Sequence, residues 1–319
     1  MPISVNVYIA KIKIYFMLTK FFRQSKPIVL FFLILLSWVA YLVQVLSYNK
    51  ESLGLKNSII NTGLITLIIF LQNFIIRKNK INQQNSFGIS LFTLGLISLI
   101  PLFEDTTSWL VLLFIGLFFR RLISMLNETL LKKKTFEASA WLIIASFFEP
   151  NFILLLLLIW LANLILSVNQ FANYLIPIIT LGGAIILANA VTIILYGEYF
   201  KLQEYVATIS LDLSWYFTPN FLYILVLLII CIVSFPGFLQ KAQVLKKIQL
   251  NLLLISVLSV SAIVSFLEVG TPAFYAICLF PLSPIAAEFF QLRLKKWIHE
   301  LVWILLISLS LFTYINQYI

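Results

Sequence analysis

Few residues in this chain could do chemistry, and most of them are carboxylates. Glu51, the pair Glu104-Asp105, Glu149 and Glu268 each stand at the edge of a long apolar run. Carboxylates gathered from several loops can hold a divalent cation or take a proton as a general base; acids scattered over a surface do neither and are simply solvated. Glu149 differs from the rest because Phe147, Phe148 and Pro150 flank it. Burial among such neighbours raises a carboxyl pKa. His299 is the sole histidine, with no cysteine or second histidine beside it, and reads as an interfacial side chain rather than a metal ligand. Cys231 and Cys278 fall inside apolar runs, so neither a disulfide nor a metal site is expected of them. Walker loops, GxSxG, HExxH and CxxC are absent, which argues against ATP hydrolysis, serine hydrolysis and zinc chemistry.

The elements that must position these residues are membrane helices. Hydrophobic residues make up 62% of the 319 and charged residues 11%, where a soluble domain carries about 25% charged. Mean hydropathy is +1.04. The expected fold class is all-α, a polytopic transmembrane helix bundle of one membrane domain over 27–319. About 20 helical residues cross a bilayer core, which places spans at 27–48, 58–76, 86–103, 107–123, 136–149, 151–168, 172–196, 219–239, 248–267, 270–286 and 297–316. The run 136–149 is short, so it either begins earlier, near Thr129, or dips and returns. Residues 1–26 form a cytoplasmic N-terminal segment. MLTKFFRQSKP at Met17 is an ordinary start for an inner-membrane protein, which marks 1–16 as a start-site artefact.

Charge orients the spans. With the N-terminus cytoplasmic, 19 of the 22 basic residues fall inside, in clusters such as Lys20-Arg23-Lys26, Arg120-Arg121, Lys132-Lys133-Lys134 and Arg293-Lys295-Lys296. The net charge of +10 therefore reads as orientation signals, not as a nucleic-acid surface. The C-terminus is external, and so are eight of the twelve acidic residues. Insertion does not require that acidic asymmetry.

Two segments read as amphipathic helices on a membrane face. One runs over about 198–216, with Tyr199, Leu202, Val206, Ile209, Leu213 and Tyr216 on one side and Trp215 at headgroup level. The other is RRLISMLNETLLKKK, Arg120 to Lys134, on the cytoplasmic leaflet. Within spans, Gln44, Asn61, Gln72, Asn73, Asn163 and Asn189 read as interhelical hydrogen-bonding groups. Gly182-Gly183 reads as a site of close helix packing. No charged residue sits mid-span, which argues against an ion-coupled transporter.

The run Ala138 to Leu166, a small-residue helix turning at a proline into a leucine-rich span, is followed by LIPIITLGGAIILANAVTIILYGEYF, Leu175 to Phe200. This resembles the middle of polytopic GT-C glycosyltransferases, where a similar hairpin precedes a span ending in Tyr-Gly, here Tyr196-Gly197. The whole chain from Met17 also resembles an uncharacterised family of bacterial inner-membrane proteins. The GT-C resemblance implies a transferase using a polyprenyl-phosphate-linked sugar on the external face. Glu51 would then be the base or metal ligand, and Glu104 and Asp105 would hold a cation or phosphate. Glu149, Tyr199, Trp215 and Glu268 would contact substrate, and a divalent cation is the cofactor implied. The first external loop of that family is long and helical, whereas Tyr48 to Asn57 spans about ten residues. A non-catalytic membrane subunit of an envelope assembly or transport complex, docked by a membrane or periplasmic protein, stands beside the enzyme reading. The lipid bilayer is the partner common to both.

Overall fold

A computed structural model describes residues 17–47, 55–79, 85–125, 130–166, 170–201, 219–241, 252, 256, 259, 272–292 and 294–316. All elements among the described residues are helical. They are α1 (Met17–Phe22), α2 (Pro27–Ser47), α3 (Leu55–Lys78), α4 (Phe87–Leu99), α5 (Thr106–Ser124), α6 (Leu131–Phe148), α7 (Leu156–Ile165), α8 (Phe171–Tyr196), α9 (Pro219–Lys241), α10 (Pro272–Ala286) and α11 (Lys296–Ile315). Three 3-10 turns, Ile100–Leu102, Pro150–Leu155 and Ala287–Gln291, extend α4, precede α7 and extend α10. By length and composition α2, α3, α5, α8 and α11 can cross a membrane. Four further apolar helical stretches among the described residues are shorter, 10–17 residues each.

The chain divides into two compact units. The first comprises Met1–Leu102, Phe217–Lys241 and Leu282–Ile319. Its centre is α4, every residue of which is buried, because FGISLFTLGLISL is apolar all round and offers no polar face to present outward. Helices α2, α3, α9 and α11 pack against it. Lipid tails are as apolar as leucine, so burial alone does not hold helices together in a bilayer; close packing and interhelical hydrogen bonds of about 0.6 kcal/mol each do. Unit 1 has several such bonds. Tyr223 Oη donates to the Leu91 carbonyl at 2.8 Å, Ser310 Oγ to Leu94 at 2.7 Å, and Tyr314 Oη to Ala40 at 2.6 Å. Asn61 Nδ2 donates to Tyr41 Oη at 2.9 Å, Gln72 Nε2 to Ser283 Oγ at 3.2 Å, and Gln44 Nε2 to the Pro101 carbonyl at 3.4 Å. Gln44, Asn61 and Gln72 thus tie helices to their neighbours, as their sequence positions suggest, whereas Asn73 Oδ1 accepts from Arg77 Nε one turn along its own helix at 3.2 Å, and Asn189 Nδ2 donates to the Ile185 carbonyl of its own helix at 3.2 Å.

The second unit comprises Phe103–Tyr216 and Ala242–Pro281. Helices α5 and α6 form an antiparallel hairpin. Phe114 stacks on Trp141 at 6.0 Å and on Phe148 at 6.2 Å, Arg121 pairs with Glu137, and Lys134 Nζ donates to the Ser124 carbonyl at 2.9 Å. Helix α7 returns, and α8 packs on it and on α6. Trp160 Nε1 donates to the Tyr174 carbonyl at 3.0 Å, and Asn163 Nδ2 to that of Asn173 at 3.3 Å. Along α8 only Asn173 and Pro177 are buried, and side chains such as Ile186 and Ile194 stand 70% and 80% exposed. An apolar helix uncovered on this scale requires an apolar surrounding.

Of the two alternatives for the short span 136–149, the earlier start holds: its helix begins at Leu131, so 18 residues give about 27 Å of rise. Several other expectations change. The span 151–168 is an α-helix only over Leu156–Ile165, after a six-residue 3-10 turn opened by Pro150. The separate cytoplasmic helix over Arg120 to Lys134 does not form: Arg120–Ser124 end α5 and Leu131–Lys134 open α6. Leu122 is buried within α5, which continues that helix rather than starting a new one. Around Gly182 and Gly183 nothing lies within 4 Å of an added Cβ, so no helix approaches closely there. Of the span expected at 248–267, only 252, 256 and 259 are described, each helical. The amphipathic helix near 198–216 lies outside the described residues beyond Lys201, and Glu198–Lys201 are not helical.

Candidate functional site

One end of unit 2 gathers four of the expected site residues. The antiparallel register of α5 and α6 sets the start of α5 beside the end of α6. Glu104 is exposed in the turn before α5, and Asp105 is its N-cap residue, in extended conformation and without a side-chain capping bond. A carboxylate there is favoured by the helix dipole. Glu149 ends α6, its N–H donating to the Ala145 carbonyl and its own carbonyl accepting from Phe152 N, both at 3.1 Å. It lies at the junction outside both helices, half-buried, and burial pushes its carboxyl above the usual range. Gly197, at φ 71°, caps α8 in the left-handed region that glycine enters without strain. The chain then turns so that Phe200 N donates to Asn189 Oδ1 at 2.9 Å and the Phe200 ring meets Phe147 at 6.0 Å. Tyr199, 80% exposed, is thereby placed at the end where Glu149 sits. Glu51, Trp215 and Glu268 lie outside the described residues. Among the described residues no three His, Cys, Asp or Glu side chains gather as a metal ion would need.

The best-built polar site is elsewhere, in unit 1. A cavity of about 880 Å³ is lined by the α1 turn, the start of α4, the turn after α10 and the first turn of α11. Ser86 binds this layer together: its N–H donates to the Phe22 carbonyl at 2.9 Å and its hydroxyl to that of Gln24 at 3.1 Å. Beneath lies an aromatic cluster in which Trp303 stacks on Phe22 at 4.8 Å and on Phe290 at 4.9 Å, and Phe290 on Phe87 at 5.0 Å. Lys20, Arg23 and Lys296 line the cavity and are exposed.

Two ionisable groups sit in its wall. Glu300 is 2% exposed; its Oε1 accepts from the Thr19 N–H at 3.0 Å and from the Thr19 hydroxyl, while Oε2 has no partner. His299 is 7% exposed, lies edge-on to Phe289 at 5.7 Å, and its Nε2 has no partner. A buried polar atom left unsatisfied costs about 1–3 kcal/mol, more if charged. Native folds rarely retain such atoms without a reason. The expectation of an interfacial His299 missed this cluster. The available signal was Glu300 itself, an acid in an otherwise basic segment, next to the only histidine and one turn after Lys296.

Neither a curated protein nor a solved structure matches the chain. One family matches nearly all of it, residues 17–319, so the chain belongs to the family of unknown function DUF6427.

Proposed function

We propose that this chain is a multi-pass protein of the bacterial inner membrane, N-terminus cytoplasmic and C-terminus external, and a non-catalytic subunit of an envelope assembly or transport complex. What carries this reading is the openness of the carboxylate end of unit 2. Glu104 and Asp105 stand exposed and Tyr199 is 80% exposed. Groups that bind a partner can sit in the open; groups that stabilise a transition state work in a water-excluded site. The test is native mass spectrometry of the protein taken gently from its own membranes, with Asp105→Lys and Tyr199→Ala beside the parent chain. A stoichiometric protein partner, lost in both variants, is expected. A bound polyprenyl-phosphate sugar with no protein partner sinks the proposal.

A transferase acting on such a lipid-linked sugar is the second reading. Glu149 favours it, because a half-buried carboxyl beside Phe147 and Phe148, its pKa raised by burial, holds a proton more readily than an exposed one and so suits general acid-base work. Glu51 would complete that site as base or cation ligand, with Glu104, Asp105, Trp215 and Glu268. Loss of function in Glu51→Gln or Asp105→Asn at normal membrane levels would favour it, and tolerance of both would remove it.

A further inference from the structure

We infer that the cavity of unit 1 is a binding site for a polyol phosphate, a phosphate group with neighbouring hydroxyls, carried by a lipid headgroup or by a soluble molecule. Three observations lead there. The first is charge. Lys20, Arg23 and Lys296 line one cavity of about 880 Å³, and against their three positive charges the cavity lining sets one carboxylate, Glu300. Cations concentrated at one concave site select an anion, and phosphate accepts from several at once.

The second is the helix that carries the site. α11 begins at Lys296 with its N-cap, Lys295, making no side-chain capping bond, so the first-turn N–H groups and the positive end of a 20-residue helix lie at the cavity. The third is the buried pair. Thr19 holds Glu300 by one oxygen only, and Oε2 and His299 Nε2 remain without partners in the wall. A phosphodiester, which has no P–OH, offers no donor to a carboxylate. A hydroxyl beside the phosphate offers a donor, and small side-chain rotations bring Oε2 and Nε2 to it. Cations for the phosphate and a carboxylate for the hydroxyl together define a polyol phosphate.

The experiment uses the full chain in phosphatidylcholine nanodiscs and follows thermal unfolding by tryptophan fluorescence. Phosphatidylglycerol is titrated into the disc in one arm, and glycerol 3-phosphate into the buffer in the other. Stabilisation in the first arm identifies a lipid headgroup, and in the second a soluble ligand; either supports the site. The Lys20→Gln/Lys296→Gln pair, at exposed positions, should weaken that binding at least about tenfold. Lys132→Gln/Lys133→Gln, which removes the same charge from exposed positions in unit 2, should leave it unchanged. Glu300→Gln should abolish the preference for phosphatidylglycerol over phosphatidylmethanol, a phosphodiester with no headgroup hydroxyl. Stabilisation by neither probe, or equal weakening by both lysine pairs, overturns the assignment. Because the lysine pairs lie on the surface, the test stands even if Glu300→Gln fails to fold.

Discussion

The bond between Thr19 and Glu300 should decide whether α1 stays attached to unit 1. α1 has six residues, far short of the 12–15 or so at which an isolated helix becomes even marginal. Its position therefore depends on what holds it, and Thr19 gives Glu300 both its N–H and its hydroxyl. Thr19→Val keeps the shape and removes only the hydroxyl. With Glu300 2% exposed, water cannot readily replace the lost donor. A hydrogen bond to a charged group contributes about 1.5–3 kcal/mol, which is roughly a 10- to 150-fold change in a local opening equilibrium. An exposed pair would give about 0–1 kcal/mol. Because a six-residue helix can open without the rest of the unit, local hydrogen exchange is more direct than a melting temperature. Amides of 19–24 should exchange at least about tenfold faster in Thr19→Val, with those of α4 unaffected. Glu300→Gln should do the same, and the double variant should fall short of the two effects added together, since both remove one interaction. Unchanged exchange at 19–24, or strict additivity, would refute the claim that this bond anchors α1.

Four further outcomes test separate parts of the reading. Gly197→Ala should lower the unfolding midpoint by an amount equivalent to about 1 kcal/mol, because φ is 71° with open space around it. Leu130→Gly should raise it by a similar amount, relieving a leucine at φ 56°. The raised Glu149 pKa makes the folded state bind its proton more tightly than the unfolded chain does. Its stabilising share is then complete below the unfolded pKa and is lost as pH rises through the folded one. Glu149→Gln should accordingly gain stability on the parent as pH rises above the ordinary carboxylate range, and a stability difference that does not change with pH would refute the burial argument. Finally, an impermeant maleimide should label Glu104→Cys and Tyr199→Cys from outside and Lys133→Cys only from inside, with Cys231 and Cys278 silent because both are buried. Labelling of either external pair member from the cytoplasm would break the topology.

Helix positions were largely readable from residue order, and the reasons are local. α2, α9 and α10 each begin at a proline, Pro27, Pro219 and Pro272, whose missing N–H costs nothing at a first helical position. α8 ends at Gly197, the left-handed cap. Hydropathy sets what lies between. The errors arise where hydropathy and helical continuity diverge. Lys132 to Lys134 are polar, so the apolar run starts late, yet lysine is a good helix former and α6 passes through them. The leucines after Pro150 are as apolar as any span, yet the proline sets a 3-10 turn first. Nor does hydropathy distinguish α4, wholly buried, from α8, almost wholly uncovered: both compositions suit lipid and protein alike. The carboxylate end of unit 2 was legible because alternation of spans alone places Glu104, Asp105, Glu149 and Tyr199 on one side. The Thr19–Glu300 pairing was not, because its partners lie 281 positions apart.

Unsatisfied polar atoms occur at several places among the described residues, and one helix end carries three of them close together. Where lipid offers no hydrogen bonds, a buried polar side chain is used by its neighbours or leaves a cost standing. Among the mid-span groups Asn61, Gln72, Tyr223, Ser310 and Tyr314 each bond to another helix or turn, although the Oδ1 atoms of Asn61 and Asn163 stay without a partner. Along α11, Glu300 Oε2, His299 Nε2 and Trp303 Nε1 all lack partners. They fall within the first two turns of one helix, where Trp303 stands three residues from Glu300 and four from His299, the spacings at which helix side chains are neighbours. Packing does not explain three such groups together, since leucine or phenylalanine would fill the space without the polar cost. Orientation signals do not explain an acid there either, because the positive-inside rule concerns only lysine and arginine. What remains is a ligand that these groups would meet, beside three cations against which the cavity lining sets Glu300 alone.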